Sequence, residues 1–200
     1  MKLNRGVVFV VASVAMIAAA AGRDERSIQD LSKALATLAP TVDPAEAQLL
    51  SLTAHTTARS LKQKYRVVLN PEFQNFLINI GLRDRGYCGH WTRDIGERLK
   101  ELKPKTLVLH WGVYDPGRSG ESNCVVITAR NQPFQEGIVI DGWRRAGRLY
   151  WARVPKDDEY KWKEDPLYTA WLQDYRHVYE FQATALRPAR SGSVSTSSGN

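Results

Sequence analysis

Apolar residues recur at helical spacing through the first half of the chain, and gather into short continuous or alternating runs in the second. Ile28, Leu31, Leu35 and Leu38 mark one face of a helix over 23–39, which Ser27 can cap and Pro40 closes. Asp43-Pro44 supplies an N-cap and a first-turn proline for a longer helix to Lys64, with Ala47, Leu50, Ala54, Ala58 and Leu61 along its stripe. His55 sits beside that stripe, a structural position. Asn70-Pro71 opens a third helix over Pro71–Ile80, whose expected buried face is Phe73, Phe76, Leu77 and Ile80; Gly81 stops it. Ile95, Leu99 and Leu102 repeat at i, i+4 and i+7 in a fourth helical stretch from Trp91 to Leu102, opened at Cys88 and closed by Pro104.

After Pro104 the period changes. Thr106–Val113, Cys124–Ala129, Gly137–Asp141 and Arg148–Val154 read as strands, and the connections between them are short and rich in turn formers. Short connections predict an antiparallel meander. In the charged stretch 155–165, Tyr160 and Trp162 are placed to pack across a sheet edge. A short helix over Pro166–Arg176 and a last strand or extended arm over Val178–Leu186 complete the pattern. Helices first and strands afterwards define an α+β domain with an antiparallel sheet of four or five strands.

The ends differ from the middle. Lys2 and Arg5 precede an apolar run from Gly6 to Ala21, and the small residues Ala18 to Gly22 lead into Arg23-Asp24-Glu25-Arg26. That is the pattern of a secretory signal peptide cleaved after Ala20 or Ala21. An uncleaved anchor is the alternative, although the run falls short of the roughly 20 residues a bilayer needs. No cysteine near the junction offers a site for lipid. Residues 1–22 are thus a signal peptide or anchor, 23–186 a single domain, and 187–200 a Ser/Gly-rich tail expected to be disordered.

Composition supports one globular domain, with 200 residues, 43% hydrophobic and 24% charged. The net charge is +7; without Lys2 and Arg5 the remainder carries 26 basic against 21 acidic residues, or +5. A mildly basic face serves solubility or attraction to anionic envelope material such as wall polymer or lipid headgroups. Nucleic acid is not an expected partner, because the chain is read as exported and has no Lys/Arg run.

Two cysteines, Cys88 and Cys124, are the candidates for chemistry. Cys88 opens a helix within Gly86-Tyr87-Cys88-Gly89-His90-Trp91, where free N–H groups and the helix dipole favour a thiolate. Together with Glu-Ser-Asn-Cys-Val-Val-Ile-Thr-Ala (121–129) and Glu-Gly-Ile-Val-Ile-Asp-Gly-Trp (136–143), this motif resembles the papain-like and transglutaminase-like cysteine hydrolases. The resemblance covers roughly Pro71 to Val154. It implies Cys88 as nucleophile, Asp141 as the orienting carboxylate and a histidine base at the start of the strand between them. That position reads Ser122-Asn123-Cys124, so the mechanism does not transfer intact.

His110, on the preceding strand beside Trp111, is the first substitute base; His90, at i+2 from Cys88, faces away on a helix. His177 has no visible partner. An active enzyme would attack an amide or acyl bond of a peptide, a wall crosslink or a protein glutamine. The alternative is a non-catalytic envelope protein that binds through the same cleft, with Cys88 and Cys124 bridged. Such a bridge would close a loop of about 35 residues and add roughly 3–4 kcal/mol.

No cofactor is expected, since neither His-x-x-x-His, Cys-x-x-Cys nor a phosphate-cradling glycine loop occurs. Asp141, Asp94 and Glu121 do not form a glycosidase-type carboxylate pair by spacing. Trp91, Trp111, Trp143 and Trp151 serve either as core or as a cleft wall that stacks on a sugar or peptide. Arg144-Arg145 and Arg148 read as a solvated turn, or as positive charge beside the cleft.

Overall fold

In the computed structural model, which describes residues 23–174, α1 occupies residues 23–36. The next helices, α2 (Pro44–Lys64) and α3 (Pro71–Asn79), begin where an Asp or Asn stands before a proline. Asp43 accepts the Ala45 N–H at 2.9 Å and Asn70 accepts the Phe73 N–H at 2.8 Å. Each proline then fills a position whose N–H would lack an intrahelical partner. α4 spans Cys88–Lys100 and is followed by β1 (Leu107–Tyr114), β2 (Ser122–Ala129), β3 (Ile138–Asp141), β4 (Tyr150–Arg153) and β5 (Lys163–Glu164). α5 (Pro166–Gln173) repeats the capping device, with Asp165 accepting the Tyr168 N–H at 3.0 Å.

The five strands lie in the order β4-β3-β2-β1-β5, every pairing antiparallel. The fold is therefore α+β, helices before sheet. β5 carries no legible period because it has only two residues, both exposed, paired to the edge of β1. The predicted leader, the arm over 178–186, His177 and the tail lie outside the described residues.

β2 is buried along its whole length, which is why its sequence is a continuous apolar run rather than an alternation. On one face Val125 and Ile127 join Ile138 and Ile140 of β3, Ile95 and Leu99 of α4, Leu50 and Ala54 of α2, and Leu31 and Leu35 of α1. On the other, Cys124, Val126 and Val139 meet Phe134, Val154 and Trp162. Among the described residues no helix is long and apolar enough to cross a membrane.

α3 departs from its expected orientation. Its buried residues are Pro71, Gln74 and Leu77, while Phe76 and Ile80 are exposed. The reason lies in the backbone beneath it. The Gln74 amide donates to the carbonyls of Tyr65 and Arg85, both at 2.9 Å, and so serves two acceptors that an apolar side chain would leave buried without a donor.

Candidate functional site at the start of helix α4

Gly86 has φ +137, and a Cβ there would meet Gln74 Cγ at 2.6 Å, so the approach to α4 needs glycine. The first turn then folds back on this approach. The Trp91 indole donates to the Gly86 carbonyl at 3.0 Å, and the Gly86 N–H donates to His90 Nδ1 at 3.1 Å. His90 is thereby turned toward Gly86, and Trp91 is locked edge-on against Tyr65 at 5.1 Å. Tyr87, the N-cap residue, makes no side-chain cap, which leaves first-turn N–H groups free to face the site.

The Cys88 thiol donates to the Glu121 carbonyl at 3.6 Å and accepts from Asn123 Nδ2 at 3.7 Å. The backbone N–H groups of Asn123 and Gly89 also point to the sulfur. The Glu121 carbonyl and the Asn123 N–H lie on one edge of β2, flanking residue 122. Val125 pairs with Ile140, which sets Asp141 opposite Cys124, and β3 ends there. Cys88 thus occupies the ladder position just beyond the end of β3. The Asp141 carboxylate is near enough to act electrostatically on the thiol.

The electrostatics run opposite to the expectation from the helix dipole. Burial pushes the Cys88 thiol above its ordinary value and the negative charge of Asp141 adds to this; Asn123 and the Gly89 N–H oppose it without overcoming it. Near neutral pH the group is a thiol, not a thiolate.

Asn123 is the residue that sequence reasoning passed over. Its Oδ1 accepts the Trp111 indole N–H at 2.7 Å, and its Nδ2 donates to Glu121 Oε1 at 3.0 Å as well as to Cys88. Because Trp111 requires an acceptor, the amide presents its donor side to the sulfur. An amide donor cannot take the thiol proton.

Asp141 is held elsewhere. Its Oδ1 accepts the N–H groups of Trp143 at 2.8 Å and Arg144 at 3.1 Å, and its Oδ2 accepts Arg144 Nε at 3.1 Å. The Arg144 guanidinium grips Asp157 with both Nη atoms at 3.0 and 2.8 Å, and stacks over Tyr150 and Tyr160 at 4.0 and 4.6 Å. Its side chain is only 9% exposed, so Arg144 belongs to a buried ion cluster, whereas Arg145 and Arg148 are exposed as a solvated turn requires. Burial pushes the Asp141 carboxyl up, against the pull of Arg144 and the two N–H groups. Ser122, at the motif position where a histidine was expected, has a buried hydroxyl that makes no hydrogen bond beyond a loose approach by Tyr160.

The structure does not bring His110 to Cys88. His110 pairs across the ladder with Val126, three residues along β2 from Asn123. One ring nitrogen meets Glu164 at 2.7 Å, the other meets Thr128 Oγ1 at 2.9 Å, and the ring lies edge-on to Phe134. The expected Cys88–Cys124 bridge is also not made, since both cysteines are free thiols. Cys124 is fully buried and projects over Gly112, where a Cβ would approach its sulfur to 2.7 Å. The period-two alternation of β2 turns it away from the side chain of Asn123.

Beyond Asn123, Trp111 forms the wall of an apolar cavity of about 250 Å³, lined also by Arg93, Leu167, Tyr168 and Trp171. Trp111 stacks on Tyr168 at 4.7 Å and meets Trp171 edge-on at 6.3 Å. Two hydrogen bonds, through Asn123, therefore connect an aromatic cavity to the Cys88 sulfur. No group of three metal-binding side chains occurs among the described residues. No family model, curated protein or solved structure matches the chain.

Proposed function

We propose that this chain is an exported cell-envelope protein whose papain/transglutaminase-like domain binds a peptide or wall-polymer segment at the Cys88 cleft without cleaving it. The observation that carries this is the Asn123 amide, which aims a donor at the Cys88 sulfur where a hydrolase needs a proton acceptor. The burial-raised thiol and the engagement of Asp141 by Arg144 agree with it. The leader pattern of residues 1–22 supports action outside the cytoplasm.

The surroundings of Cys88 have features that suit a ligand. The Asn123 amide and the N–H groups of Asn123 and Gly89 can receive a carbonyl oxygen, and the cavity beside Trp111 can stack an aromatic side chain or a sugar ring. A second reading, a thiol hydrolase or acyltransferase acting through Cys88, is favoured by the same convergence of donors, which would stabilise an oxyanion. It requires a proton-abstracting base, which none of the groups bonded to the Cys88 sulfur is.

Titrating soluble wall fragments and a mixed peptide digest into the protein, with tryptophan fluorescence and product analysis in parallel, separates the two. Binding without product is expected, and Tyr168→Ala weakens it about tenfold through the lost stacking surface. Product formation that disappears in Cys88→Ala would replace the binding protein with the enzyme.

A further inference from the structure

Five large apolar side chains between residues 68 and 82 face solvent: Val68 at 61% exposure, Leu69 at 65%, Phe76 at 52%, Ile80 at 51% and Leu82 at 61%. A single exposed leucine is ordinary; five within one turn-helix-turn segment are not. Phe76 and Ile80 are exposed because Gln74, not they, faces the domain.

The rim of this patch is basic. Arg59, Lys62, Arg66 and Arg83, with Val68, line an open groove of about 580 Å³ alongside it. Lys62, Arg66 and Arg83 meet no carboxylate among the described residues; Arg83 bonds only to the carbonyls of Leu82 and Arg66. Glu72 and Asp84 are the acidic side chains of the segment, both exposed.

The chain also reaches the rest of its sequence from this side. Asp24 pairs with Arg59 at 3.2 Å, and Arg59 lines the groove. Only Gly22 separates Arg23 and Asp24 from the apolar run Gly6–Ala21. The segment read as membrane-directed therefore joins the domain beside the apolar patch and its basic rim.

We propose that this face docks onto an anionic lipid bilayer, with Phe76, Ile80, Leu82, Val68 and Leu69 entering the interface and Lys62, Arg66 and Arg83 meeting lipid phosphates. Apolar side chains ringed by unpaired cations are the arrangement an interfacial membrane contact needs. Two-fold pairing of the face with itself would bring two basic rims together without a matching set of carboxylates. This inference does not depend on the Cys88 cleft.

Flotation of the full chain with vesicles tests it. Wild type should partition onto vesicles containing about one-third phosphatidylglycerol far more than onto pure phosphatidylcholine, with loss at high salt. Arg66→Gln with Arg83→Gln should reduce that partition by about fivefold per cation. Phe76→Ser with Leu82→Ser should reduce it about tenfold, with an unchanged thermal midpoint because both side chains are exposed. Equal partition of variants and wild type, or indifference to lipid charge, would overturn the proposal by leaving the leader alone as the anchor. A dimer in sedimentation velocity that the Phe76/Leu82 variant dissolves would overturn it in favour of a second copy.

Discussion

At the scale of single residues, the sulfur of Cys88 and the guanidinium of Arg144 divide what a hydrolase would join. Arg144 sits between Asp141 and Asp157, so removing it leaves two buried carboxylates without their shared cation. Arg144→Met should cost about 3–5 kcal/mol, measured by denaturant unfolding. Ser122 is the residue whose replacement probes the lost base. It lies between Glu121, whose carbonyl accepts the Cys88 thiol, and Asn123, whose amide donates to the sulfur, and its own hydroxyl lacks an ordinary hydrogen bond. Ser122→His in the Arg144→Met background should raise the alkylation rate of Cys88 near neutral pH by at least tenfold if the position is the vacant base site. A rate no higher than that of Arg144→Met alone would show that the imidazole does not reach the sulfur.

Cys88 at a helix start and Asp141 at a strand end were both legible, since each is marked by a glycine and by a change of period. The bond between Asn123 and Trp111 was not. These two residues lie on neighbouring strands and meet only through the register of β1 on β2, which pattern alone does not fix. Arg144 was misread because a charged pair after a strand usually lies in water; its partners Asp157 and Glu159 come from beyond the next strand.

Among the elements, α1, α2, α4 and the central strands follow their apolar patterns, but contacts between them depend on polar groups that periodicity ignores. Glu46 of α2 accepts the N–H groups of Lys105, Thr106 and Leu107 at 2.7, 3.0 and 2.8 Å, pinning the start of β1 to a helix sixty residues earlier. Glu46→Ala should cost about 1–3 kcal/mol in unfolding free energy, from N–H groups left without an acceptor. α1, α2 and β4 are tied by a second chain of bonds. The Trp151 indole donates to Ser27 Oγ at 3.1 Å, Ser27 meets His55 Nε2 at 2.9 Å, and His55 Nδ1 meets the Ser51 carbonyl at 2.8 Å. In this arrangement Nδ1 donates and Nε2 accepts, so the ring is neutral.

Burial lowers the His55 value below its ordinary 6.5, with Asp24 and the Ser51 carbonyl opposing and Arg59 assisting; burial and Arg85 lower His90 in the same sense. The unfolded chain then binds more protons than the fold just below pH 6.5. Stability should be intact above that value and fall as the solution is acidified through it. His55→Gln should flatten this slope in urea melts run between about pH 7.5 and pH 5, leaving the share due to His90. An unchanged slope would place the titrating group elsewhere.

For the whole molecule, two surfaces carry the functional argument, and they differ in how they could be seen. The Cys88 cleft was foreshadowed by motifs, whereas the apolar face of α3 looked from its spacing like core. Helical periodicity identifies which side chains share a face, but it does not say whether that face turns inward. At α3 a buried amide settles the matter by serving two backbone carbonyls.

Binding without cleavage requires Cys88 to be a neutral thiol without an acid–base partner, and the pH profile of its carboxymethylation measures that directly, with mass spectrometry to assign the site and buried Cys124 as the unreactive control. The rate at Cys88 should be low near pH 7 and climb without a plateau to an inflection above the ordinary thiol range. A plateau of fast reaction extending below about pH 7, as a thiolate held by an imidazolium produces, would contradict it.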